Sequence, residues 1–114
     1  MTQDTVQEIE ANISKLKQFV DLELALERLE KNADFKKVIS EGYLKDEAIR
    51  LVHAKADPHL QSPDKQAGVV GQIDAIGRLV TYFRGITQNA NLARKSIEAD
   101  EETRDEILAQ EQAQ

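Results

Sequence analysis

The sequence predicts an all-α protein: a helical hairpin or small bundle with a long C-terminal helix, coiled-coil-like packing and an oligomeric state. Three observations lead there. Apolar residues recur at steps of three and four over residues 6–20 and 69–83, the spacing that lines one face of a helix. No stretch alternates apolar and polar residues at period two, as a half-buried strand does. Aromatic residues make up only 4%, with no tryptophan and two prolines in 114 residues, a composition that suits helices better than a sandwich or barrel.

The first helix is expected over about 4–30. Val6, Ile9, Ile13, Leu16 and Val20 form a narrow seam. A second phase, Phe19, Leu22, Leu26 and Leu29, then takes over with a three-residue offset. Such an offset overwinds a supercoil locally or marks a bend or break, here near residue 20. Glu23 and Glu27 read as an exposed repelling pair, and Glu27 with Lys31 as an attracting one, each worth tenths of a kcal/mol.

Two shorter helices follow. Asp34 is placed to cap a helix over 35–40 that carries Phe35, Val38 and Ile39. Gly42 is placed to close it in the left-handed conformation. A helix over 43–56 has Leu44, Ala48, Leu51 and Val52 on one face, and Pro58 prevents its continuation. Ser62 as cap and Pro63 at the first helical position start the last helix, 63–97, which can extend into the charged tail. These boundaries describe a single helical domain over 1–95 and an acidic tail over 96–114.

The last helix holds four of the five glycines, Gly68, Gly71, Gly77 and Gly85. Each lowers helix propensity by about 0.8–1 kcal/mol relative to alanine, roughly 3–4 kcal/mol together. Val69, Ile73, Ile76, Val80 and Phe83 form its bulky seam, while Gly77, Thr81 and Gly85 line up a turn apart on another side. A bare backbone stripe lets a neighbouring helix lie close. That neighbour is the 43–56 helix or the same helix of another subunit; alternatively, Gly68 and Gly71 break and turn the helix. The expected packing and subunit interface comprises Ile9, Ile13, Leu16, Gly77, Val80, Thr81, Phe83 and Gly85.

The net charge is −6 and is placed unevenly. Residues 1–95 hold fourteen acids and fourteen bases, so the seven acids and one base of 96–114 account for the whole excess. Glu98, Asp100, Glu101, Glu102, Asp105 and Glu106 form this acidic segment, which suits solvent or a basic protein partner. No basic stripe collects phosphates, so direct nucleic-acid contact is not expected. No apolar run approaches the ~20 residues of a membrane span, and the acidic start "MTQDTVQEIE" has no apolar export core. The chain is thus expected to act in solution, without a membrane.

Little in the sequence points to chemistry. Cysteine is absent, which removes thiolate ligands, disulfides and a cysteine nucleophile. His53, Asp57 and His59 match no familiar metal-ligand spacing and read as surface or helix-end residues. "GVVGQIDAIG" lacks both GxGxxG and the lysine of a phosphate loop. Arg50, Arg78 and Arg84 are candidates for contacting an anion or partner, although salt bridges to Glu47 or Asp74 account for them more simply. No enzyme activity, metal or cofactor is expected.

The segment "DLELALERLEKNADFKKVISEGYLKDEAIRLVHAKADP", followed by "QIDAIGRLVTYFRGI", resembles a group of small helical proteins of tailed bacteriophages over about residues 21–90. The resemblance implies a phage protein near virion genes, working in the host cytoplasm or in the virion, and brings no catalytic or binding residues. It leads to a non-enzymatic protein that self-associates and binds another phage or host protein, most simply a virion structural or assembly component. Two other readings stand beside it: a regulatory or anti-defence binder of a host protein or small anion, and a ring-forming DNA-packaging subunit like the small terminase subunit.

Overall fold

The structure is a computed structural model describing residues 2–113; Met1 and Gln114, at the outer ends of the expected domain and tail, lie outside the described residues. Helix α1 runs over Thr2–Lys31, α2 over Ala33–Phe35, a π-helix over Lys36–Glu47, α3 over Ala48–Ala56, a 3₁₀ turn over Pro58–Leu60, and α4 over Pro63–Ala113. There is no strand among the described residues. The all-α class expected from the sequence is therefore the observed one, long C-terminal helix included.

The chain forms two compact units. One compact unit combines residues 1–25 with 85–114, and the other comprises residues 26–84. In the first unit the start of α1 lies antiparallel to the second half of α4. Three cross-connections set that register: Glu23 pairs with Arg94, Asn12 donates to the Asp100 carboxylate at 2.7 Å, and Glu10 and Ile13 border a cleft with Arg104. Ile13, Ile86, Ala90 and Ala93 are buried along this seam. Alanines at the centre suit close helix approach, because a short side chain keeps the axes near one another.

The second unit is built around Leu51, Val69 and Ile76, with Tyr43, Leu44, Ala48, Ala54 and Ile73 packed against them. Leu51 is the largest fully buried side chain. Phe35 and Phe83 meet at 6.2 Å with their planes inclined by 54°, within the range where tilted aromatic pairs attract. The turn between α3 and α4 is closed by amides. Gln61 and Gln66 both donate to the Lys55 carbonyl, and Gln66 also donates to the Leu60 carbonyl at 2.7 Å. These bonds satisfy a carbonyl at the end of α3 and one in the 3₁₀ turn that have no helical partners.

Several local expectations are corrected. The three-residue offset in α1 does not break the helix, which continues to Lys31. The cap at residue 34 moves to Asn32, whose extended backbone lets its side chain accept from the Phe35 N–H at 3.0 Å. Gly42 does not end a helix: it sits inside the π-helix, and no described glycine has a positive φ. Phe35, Lys36, Glu47 and Ala48 all keep right-handed helical angles, so the backbone passes from α2 to α3 without interruption. Gly68 and Gly71 do not break α4, and the acidic segment is helical to Ala113. Ser62 does cap α4, accepting from the Lys65 N–H at 3.4 Å, with Pro63 next to it.

A π-helix of twelve residues is long for a form usually found as a single-turn bulge. Gly42 shows one condition it imposes. A Cβ added there would stand 2.9 Å from the Lys37 carbonyl oxygen, five residues earlier. That oxygen belongs to backbone, so it cannot swing aside, and the position accepts glycine far better than alanine.

Candidate functional site

The expected interface residues separate into two groups. Ile13 is buried, and Ile9, Leu16, Val80 and Phe83 are half-buried within their own units. Their seams are covered inside the chain, so the apolar excess inferred from these residues is smaller than the sequence suggests. The glycine stripe is different. Gly77 and Thr81 are exposed, and a Cβ built on Gly68, Gly71, Gly77 or Gly85 would meet nothing within 4 Å. The expectation that the 43–56 helix lies against this stripe is thereby overturned. Leu51 of α3 packs instead with Val69 and Ile76, on the bulky side of α4, where burying branched side chains yields more than bare backbone does.

Bulky apolar side chains that are open to solvent lie elsewhere. In the first unit Leu16, Phe19, Leu92 and Ala93 border an open groove with Asn89 and Ser96. Phe19 and Leu22 are each 45% exposed and Leu92 is 63% exposed. In the second unit Val38 and Ile49 are exposed, and Val52 is 62% exposed. Val52 was expected on one face with Leu44, Ala48 and Leu51. Leu51 takes the middle of its face, so Val52, about 100° further round, turns outward. Soluble chains scatter single exposed apolar residues freely, but contiguous ones mark contact surfaces.

The charged candidates also sort by geometry. Arg50 Nε donates to Glu47 Oε1 at 2.9 Å, and a second guanidinium nitrogen reaches the same oxygen. The hydrogen bond from Arg50, helped by its positive charge, holds the Glu47 carboxyl below the usual glutamate range, and the same pairing raises the Arg50 guanidinium. Arg50 is therefore engaged within its own helix. Arg78 and Arg84 are exposed, and neither forms an ion pair with Asp74 among the described residues. The salt bridge expected at residue 74 is not formed among the described residues.

Glu98, Glu102, Asp105 and Glu106 are exposed, while Asp100 and Glu101 are half-buried. With the acids of α1, the first unit carries twelve acidic and five basic residues, and the second carries nine and ten. The acidity thus belongs to a folded unit rather than to a loose tail.

Sequence reasoning missed Glu23. It is 5% exposed, held by Arg94, and stands on the inner side of α1. One signal was available: Glu23 follows Val20 by three residues, continuing the seam of Val6, Ile9, Ile13 and Leu16.

Among the described residues no three His, Asp or Glu side chains converge as a metal site. Asp57, one of the three residues weighed for a metal, accepts from the His59 backbone N–H at 2.8 Å and caps the 3₁₀ turn. No helix of the described residues is long and apolar enough to cross a membrane. Compared with protein-family models, curated proteins and solved structures, the chain matches none.

Proposed function

We propose that this chain is a non-enzymatic, helix-built module that associates with copies of itself and with another protein, as a structural or assembly component of a phage particle. The observation that carries the reading is uncovered helix surface. Phe19 and Leu92 open to solvent at one groove, Leu22 is exposed as well, and a Cβ on any of the four glycines of α4 would meet nothing within 4 Å. Those glycines cost the isolated chain roughly 3–4 kcal/mol of helix propensity, a large part of the stability of a small domain. A contact formed only between chains offsets that cost. The phage setting comes from the sequence resemblance over residues 21–90.

Light scattering across micromolar concentrations tests the self-association. Masses above 12.8 kDa that rise with concentration are expected, and a monomer throughout would overturn it. Mass spectrometry of purified particles then asks whether the chain is present in many copies.

The acidic first unit supports a second reading, a binder of a basic surface on a host protein. Deleting residues 96–114 would test it poorly, because Ile97, Arg104 and Ile107 are half-buried along the seam with α1. Replacing Glu98, Glu102, Asp105 and Glu106 with glutamine removes charge from exposed positions and leaves that packing intact. Under this reading the variant loses capture of the basic partner; retained capture would rule it out.

A further inference from the structure

The exposed face of α4 in the second unit has a charge pattern that matches itself when reversed. Val70, Asp74, Gly77, Thr81 and Arg84 recur at steps of four and three, and all five are exposed. They therefore form one continuous seam about 100° round the helix from the face that packs on Leu51. Gly77 leaves a shallow groove there, bordered by Ile73, Asp74, Arg78 and Thr81. Asp74 and Arg84 stand equally far from Leu79, one on each side, and so do Gly77 and Thr81.

We propose that this face pairs with the same face of a second copy, antiparallel, about a two-fold axis at the height of Leu79 along the helix but on the side away from its side chain. In that arrangement Asp74 of each copy meets Arg84 of the other, and Thr81 of each fits over the bare backbone at Gly77. The two-fold repeats every contact, so two opposite-charge pairs flank one close crossing. A parallel, in-register pair would instead set Asp74 against Asp74 and Arg84 against Arg84, and like charges facing one another oppose association. The charges thus select direction, and the glycine permits the approach. Among the described residues the carboxylate and guanidinium form no ion pair, so pairing sacrifices no bridge seen there. This pairing rests on the self-association proposed above and names its geometry.

A charge exchange tests it. Asp74→Arg and Arg84→Asp are made singly and together, with dimerisation followed by analytical ultracentrifugation at low salt and helicity by circular dichroism. Each single change creates two like-charge contacts and is expected to weaken dimerisation at least about tenfold, while the double change restores opposite charges and returns it to about threefold of the parent. Gly77→Leu fills the groove without altering charge and should weaken dimerisation as strongly. A parent protein that stays monomeric at high micromolar concentration overturns the self-association and this pairing together. A parent that associates while the single changes have no effect overturns this face alone. Single changes that weaken association without rescue in the double variant overturn the antiparallel pairing.

Discussion

Glu23 on α1 and Arg94 on α4 form an ion pair in which the acid is buried and the base is not. Glu23 is 5% exposed, whereas the Arg94 side chain retains 44% of its accessible surface and also donates to the side-chain oxygen Oδ1 of Asn91 at 3.1 Å. The two partners therefore respond differently to loss of the other. Arg94 without Glu23 can turn toward water. Glu23 without Arg94 is left as a charge with little water to replace its donor.

Arg94→Leu is accordingly expected to destabilise the protein by about 1–3 kcal/mol, the range for stranding a buried polar group. Glu23→Leu should stay within about 1 kcal/mol of the parent, since replacing a buried charge with an apolar residue of similar size is often neutral. Urea unfolding of both variants checks the asymmetry. Equal losses would show that the pair acts mainly through its charges rather than through the burial of one member.

The core of the second unit offers a matched pair of neighbours. Leu51 is 1% exposed among Val69, Ile76 and Ile73, while the adjacent Val52 faces solvent. Leu51→Ala should cost about 2–5 kcal/mol through lost transfer and a residual cavity. Val52→Ala should remain within about 0.5 kcal/mol, as an exposed position away from special features. Thermal unfolding followed by circular dichroism distinguishes them.

Helix content and the long last helix were legible because steps of three and four carry through 6–20 and 69–83 without interruption. The partition into two units was not read, although its trace is visible. In α1 the covered positions include Val20, Glu23 and Leu26, with Ala25 beside them, and in α4 Leu79, Val80, Phe83, Gly85 and Ile86 are covered. In α1 the two buried positions Glu23 and Leu26 thus follow Val20 at two successive steps of three, where one unit gives way to the other. Read from α1 alone, such an offset suggested a bend or break; the helix instead stays whole while the face it buries rotates. The π-helix left no such trace. "KKVISEGYLKDE" fits α-helical spacing, and a shift from i−4 to i−5 bonding does not alter residue type. The glycine stripe was legible as a stripe, but sequence spacing cannot say which chain lies against it.

Glu47 gives a prediction about pH. Its folded carboxyl lies below the ordinary 4.5 because Arg50 donates to it and carries the opposite charge, against a smaller opposing effect of desolvation. A lowered folded value means that the contribution is fully present above the unfolded value and is lost as pH falls through the folded one. The window is therefore acidic, below the ordinary glutamate range, and stability near neutrality should not change with pH on account of this pair. Both groups are solvent-accessible, so the effect on stability is small. An NMR titration should place the Glu47 midpoint below that of exposed glutamates, and Arg50→Ala should return it to them. An unchanged midpoint in that variant would assign the shift to another cause.

The glycines yield predictions of opposite sign from the same substitution. Alanine at Gly77 meets no atom within 4 Å and gains helix propensity of about 0.8–1 kcal/mol, so Gly77→Ala should raise the stability of the isolated chain. Gly68→Ala should do the same. At Gly42 the added Cβ would stand 2.9 Å from the Lys37 carbonyl oxygen, so the propensity gain is offset by a backbone clash. Gly42→Ala should therefore lower stability, or convert the π-helix Lys36–Glu47 to α-helical bonding, visible as altered amide exchange in that segment. Measured at concentrations where chains associate, Gly77→Ala should show a second effect: dimerisation weakens although the monomer is more stable, because the new methyl group stands where Thr81 of the partner fits. A variant that stabilises the monomer and leaves association unchanged would separate the glycine from the contact, and one that stabilises neither would contradict the open surroundings of Gly77.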